Sequence, residues 1–237
     1  RVVAPDMRGY NTSGKPEGVE SYEFDPLADD VLEVLEALDV DSAHVVGHDW
    51  GAVVAWHFAG RHPAWRDRLG ILNVPHPNVM LEWIRTPTQL LKSWYMFFFQ
   101  MPGVPEAFLS SGDFAVPRWV FRHTTVRDGA FTDADIERYV EAYRQPGALT
   151  AMINYYRAIP RQILDYGRPP TIEAPVLVIW GEKDIALRKE MAEPPPEIVP
   201  DARVERLPDA SHWVQVDRPD RVNTLLLSFL EEGDASE

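Results

Sequence analysis

No cysteine occurs among the 237 residues, which excludes disulfides and thiolate chemistry and leaves the redox compartment open. Positive charge is scarce: 23 Lys and Arg stand against 37 Asp and Glu, for a net charge of -14 and a pI near 4.9. An acidic surface of this kind repels nucleic-acid phosphates and anionic lipids, so neither nucleic acid nor membrane is an expected partner. Its plain use is solubility. Long apolar runs are missing as well, because the most apolar stretch, Trp94 to Met101, falls short of the ~20 residues a membrane helix needs. No signal peptide is visible, and a soluble, cytoplasmic chain is expected.

What is present suffices for a core, with 45% of residues hydrophobic. Short β-branched runs read as five parallel strands: Val2 to Pro5, Ala43 to Gly47, Leu69 to Val74, Val176 to Trp180 and Arg203 to Leu207. Helical patterns lie between several of them, the alternation of an α/β sheet. The helix predicted over Pro26 to Leu38 has Asp25 as its N-cap, Pro26 in its first position and a stripe of Leu27, Val31, Val34, Leu35 and Leu38. A second helix starts near Gly51 and stops before Pro63. A last one runs from about Pro219 to Leu230, ahead of an acidic tail expected to fray. Between His76 and Arg168 the strand-like runs stop, and patterns such as Ala134 to Tyr143 and Ala148 to Ile159 predict a mostly helical insertion. The expected division is an α/β core at 1–75 and 169–237 with a helical cap at 76–168.

The most telling motif is Gly47-His48-Asp49-Trp50-Gly51, which follows an apolar run. It has the small-x-nucleophile-x-small form of the strand-to-helix elbow of α/β-hydrolases, with Asp49 where Ser is usual. A carboxylate is ionised at neutral pH and needs no base to attack a saturated carbon, leaving an ester that water must cleave. The order nucleophile, acid, histidine is completed by Asp184, just past the fourth run, and His212, past the fifth. Each has a duller explanation. Asp184 is also a natural turn former, Asp209 or Glu182 could replace it, and His48 or His76 could compete with His212. After Leu69 to Val74 no carboxylate occurs until Glu82, which favours the Asp184 loop. His48 is expected to pack behind the site, while Trp50 offers a backbone N–H to an oxyanion and a ring to a pocket.

Together these residues resemble the epoxide hydrolases of the α/β-hydrolase superfamily. The turn Asp6-Met7-Arg8-Gly9-Tyr10-Asn11-Thr12-Ser13, the passage Asn73-Val74-Pro75-His76-Pro77-Asn78 and the loop Trp180-Gly181-Glu182-Lys183-Asp184 carry the likeness over nearly the whole chain. The resemblance implies two cap tyrosines that hold and protonate the epoxide oxygen. Tyr95 matches the first, five residues before Gln100-Met101-Pro102-Gly103, and Tyr156 matches the second, with Tyr155 as its rival. It implies a small apolar epoxide and water as reactants, no metal and no organic cofactor. Phe98, with Phe97, Phe99 and Trp94, suggests an apolar substrate pocket, although such aromatics also serve as plain packing. The alternatives are a dehalogenase using the same aspartate and a non-catalytic protein of the same fold; homo-oligomerisation is left open.

One departure stands out. The family carries a His-Gly-x-Pro segment that supplies a second oxyanion N–H, and no His-Gly pair occurs in this sequence. The resemblance implies a further strand between Val2 to Pro5 and Ala43 to Gly47. The expectation is therefore an α/β-hydrolase core truncated at its N-terminus, with the activity of this chain an open question.

Overall fold

The computed structural model describes residues 1–163 and 169–232; the predicted boundary at Arg168 and the tail from 233 onward lie outside the described residues. β1 (Ala43–His48), β2 (Arg66–Leu72), β3 (Val176–Gly181) and β4 (Ala202–Leu207) form a parallel sheet in the order β1-β2-β3-β4. Val45 pairs with Leu69, Ile71 with Val178, and Val178 with Val204. Parallel neighbours need crossovers. α2 (Trp50–Arg61) makes the first of these, and a long helical segment makes the second.

The sequence of β3 explains its central place. A continuous apolar run suits a strand covered on both faces, and every residue of β3 is buried. Val176, Val178 and Trp180 pack with Ala52, Ala55, Trp56 and Ala59 of α2 on one face. Leu177 and Ile179 pack with Val222, Leu225 and Phe229 of α10 (Pro219–Glu231) on the other. Full burial of such side chains contributes roughly 1.5–3 kcal/mol each.

Two expectations fail. Val2 to Pro5 forms no strand, and Val2 is 95% exposed. A β-branched run becomes a strand only where a neighbour takes its N–H and C=O groups. Among the described residues no strand pairs with this run or with the outer edge of β1, where Val46 is 45% exposed. Asp25 is not an N-cap either. α1 (Phe24–Ala37) starts earlier, at buried Phe24, so Asp25 falls within the first turn. Its carboxylate meets His57 at 2.6 Å and Arg61 at 3.1 Å.

The segment between β2 and β3 is helical, as the sequence predicts: α3 (Pro77–Trp83), α4 (Pro87–Lys92), α5 (Trp94–Phe98), α6 (Val104–His123), α7 (Asp133–Tyr143) and α8 (Ala148–Ile163). α6 breaks at 111–114, where Gly112, Asp113 and Phe114 take positive φ. α8 lays Ala151, Tyr155 and Ala158 against Tyr22, Phe24, Leu27 and Trp50, which seats it over the start of α2. Among the described residues no helix is long and apolar enough to cross a membrane.

Candidate active site

Asp49 occupies the junction of β1 and α2 with φ 52° and ψ -128°, a conformation that is strained for any residue with a side chain. The bend is tight enough to dictate its neighbour. A Cβ on Gly47 would lie 2.4 Å from the Gly51 carbonyl oxygen, so only glycine fits there. The Asp49 side chain is 46% exposed and faces a cavity. Burial pushes its pKa up, but the hydrogen bond and charge of His212, with a contribution from the Trp50 backbone N–H, outweigh that and hold it at about 2.

The other strand ends converge on this bend. A Cβ on Gly181 would lie 2.0 Å from the Ser211 carbonyl oxygen, so the end of β3 runs directly against the loop that carries His212. His212 Nδ1 is 2.7 Å from Asp184 Oδ2, and its Nε2 is 3.0 Å from Asp49 Oδ2. Asp184 is buried and accepts N–H bonds from Ala186 at 2.7 Å and Leu187 at 2.9 Å. Burial alone would raise its pKa; the His212 charge and these donors carry it below the usual carboxylate range. His212 runs the other way. Burial opposes its charge, yet Asp184 and then Asp49 raise its pKa, so the resting site holds an imidazolium between two carboxylates.

The rivals are engaged elsewhere. Asp209 is exposed and pairs with Arg218 at 2.7 Å, and Glu182 lies 3.7 Å from Arg206. His76 accepts the Asn78 N–H at the start of α3 and meets the Trp56 ring edge-on. His48 packs behind the site as expected. Its Nε2–H donates to the His212 carbonyl at 2.9 Å, and burial lowers its pKa to about 4, so it stays neutral.

Two residues escaped the sequence reading. Asn73, at the end of β2, is fully buried with φ 51°. Its Nδ2 donates to Asp184 Oδ2 at 2.6 Å, and its Oδ1 accepts the Gly181 N–H. The available signal was an Asn directly after an apolar strand, a residue that tolerates a left-handed backbone. Asp217, in α9 (Val214–Asp217), is also buried. It accepts the N–H groups of Val126 and Arg127, each at 2.9 Å, and that of Ser211 at 2.8 Å, so it ties the helical segment to the His212 loop.

The cavity beside Asp49 has a volume of about 140 Å³, with Phe24, Trp50, Met80, Ile84, Tyr95 and Tyr156 among its walls. Burial and the Asp49 charge push both phenols up, so both remain protonated. The Trp50 and Tyr156 rings meet edge-on with centroids 5.0 Å apart. Tyr155 is fully buried and donates its hydroxyl to the Arg8 carbonyl at 2.7 Å. Phe98 does not line the cavity. It packs instead against Trp94, Phe99 and Phe108, because consecutive residues of the short α5 point to different sides. Trp94 and Phe97 are more than half exposed. Among the described residues no cluster of His, Asp and Glu could hold a metal ion.

Residues 1–219 match the model of a family described as alpha/beta hydrolase fold. The chain is 41% identical to the AB hydrolase superfamily protein YfhM of Bacillus subtilis, over 98% of this chain and 80% of that protein. It is 40% identical to human epoxide hydrolase 4, again over 98% of this chain, but spans only 65% of that protein's length. Among solved structures, an epoxide hydrolase from Bacillus megaterium in complex with its diol product superposes with a TM-score of 0.86. That match has 34% identity and covers 95% of this chain and 82% of the other.

Proposed function

The chain belongs to the epoxide hydrolase branch of the α/β-hydrolase fold family, and from that premise we propose that it converts small apolar epoxides to vicinal diols through an ester on Asp49. The observation that carries the reading is the position of Asp49: ionised, at a strained bend, hydrogen-bonded to His212 and facing an apolar cavity with Tyr95 and Tyr156 in its wall. Residues 76–168 act as the cap that supplies these tyrosines.

The electrostatics support two steps. An Asp49 oxygen attacks an epoxide carbon, the C–O bond breaks, and the departing alkoxide takes a proton from a tyrosine. Esterification removes the Asp49 charge, one of the factors holding both phenols neutral, so they become better acids as the alkoxide forms. It also removes part of the support for the His212 charge. His212 then releases its proton while the tyrosinate regains one, and the neutral imidazole, oriented by Asp184, is free to act as a base. Water attacks the ester carbonyl, gives its proton to His212, and the diol leaves. A dehalogenase reading is less favoured, since a halide leaves without needing a proton, whereas Tyr95 and Tyr156 in the cavity wall offer the proton donors that an epoxide alkoxide needs.

Incubation with an aliphatic epoxide and a haloalkane, scored for diol and for halide release, tests the proposal. Diol without halide is expected, with single-turnover material carrying the epoxide's mass on the peptide that contains Asp49. Absence of that label in folded protein would refute the assignment of the nucleophile.

A further inference from the structure

α8 carries Pro160 four residues after Tyr156. Proline has no N–H, so the Tyr156 carbonyl loses its normal helical partner. Gln100 takes that place. Its Nε2 donates to the Tyr156 carbonyl at 2.9 Å and to the carbonyl of Met96, the neighbour of Tyr95, at 3.0 Å. Arg157 reaches back in the opposite direction, with Nε donating to the Phe99 carbonyl at 3.1 Å and Nη2 to the Met101 carbonyl at 2.8 Å. Its guanidinium is anchored by Glu106 at 2.7 Å and Asn154 at 3.2 Å. The Arg157 and Glu106 side chains are only 13% and 18% exposed.

The segment held in this way has little order of its own. α5 is five residues long, far below the length at which a helix persists alone. The Tyr95 and Tyr156 rings meet edge-on with centroids 5.8 Å apart. Ring contacts tolerate sliding, whereas hydrogen bonds to fixed backbone carbonyls do not. Neither Gln100 nor Arg157 lines the cavity, so neither touches a substrate there.

We propose that Gln100 and Arg157 are positioning residues that clasp α5 to α8 and set the separation of the Tyr95 and Tyr156 hydroxyls, with Pro160 freeing the carbonyl through which Gln100 acts. The proposal rests on the functional reading above, in which both tyrosines serve ring opening.

The test is pre-steady-state kinetics per titrated active site, separating ester formation from ester hydrolysis. Gln100→Leu should slow ester formation roughly 3–10-fold, the scale of one hydrogen bond, and Arg157→Met should slow it further. Ester hydrolysis, which uses Asp184 and His212, should change less than about twofold in either variant. Pro160→Ala returns the missing N–H, so Gln100→Leu should cost less in that background. Unchanged ester formation, equal slowing of both steps, or the same loss with and without Pro160 would overturn the proposal. If the unaltered chain forms neither ester nor diol, the functional reading fails instead. Amide exchange across residues 94–101 then reads the clasp alone: faster exchange in Gln100→Leu supports it, and unchanged exchange overturns it.

Discussion

Asp49, Asp184 and His212 converge from strand ends, each held by hydrogen bonds to buried backbone or to one another, and Asp49 faces the cavity. Tyr95 and Tyr156 reach it from helices and meet through their rings, with polar ties one step removed from the phenols. The sheet can hold a charge because its neighbouring loops supply donors from three directions. The helical segment supplies apolar wall and neutral hydroxyls, and its geometry is only as good as the ties between short helices. One side is thus built for charge and the other for shape, and perturbing each should slow a different step.

Removing Asp49 should have the largest effect, because the bond-forming group itself is lost. Asp49→Ala is expected to lower diol formation by about 10⁴-fold or more, with circular dichroism unchanged. Asn73→Leu comes next. Loss of a donor to a charged acceptor is worth about 1.5–3 kcal/mol, so ester hydrolysis should slow roughly 10–100-fold while ester formation holds, and the ester should accumulate in rapid-quench samples. On the helical side the affected step reverses. Tyr156→Phe should slow ester formation by about 10² with little change in hydrolysis. Tyr155→Phe loses only the bond to the Arg8 carbonyl, so both rates should hold while stability falls by about 1 kcal/mol in urea titrations.

The smallest effect expected is on stability against pH. The raised pKa of His212 means that its contribution is full below its unfolded value of 6.5 and is lost as pH climbs through the raised value. Asp49, lowered to about 2, contributes fully above its unfolded 3.8 and loses that contribution as pH falls toward 2. Urea midpoints should therefore decline on both flanks, and His212→Gln should flatten the alkaline one. An alkaline flank unchanged in that variant would break the link between the charge pair and the fold.

Much of this was legible beforehand where the determinant was local. The apolar run of β3, the glycines around Asp49 and the helical patterns of α7 and α8 each depend on residues close in sequence, and they lie within a few residues of their expected places. The misses share one cause. Asp25 reads as a cap until the burial of Phe24 starts the helix earlier. Phe98 reads as pocket until α5 turns it toward Phe108. The run Val2 to Pro5 has the composition of a strand and no ladder to join.

By itself, then, the sequence determined which chemistry is available: a carboxylate in place of a hydroxyl at a tight bend, an acid and a histidine after later strands, and an acidic chain without thiols. Composition and short-range spacing suffice for that, because a steric bend or a buried run is a property of neighbours. Only the tertiary structure decided that Asn73 grips Asp184 across 111 positions, that the Tyr155 hydroxyl is taken by backbone while Tyr156 lines the cavity, and that Gln100 answers a carbonyl left open by Pro160. Those choices belong to pairs far apart in the chain, and their partners are set by how sheet and helices pack rather than by any pattern along one segment.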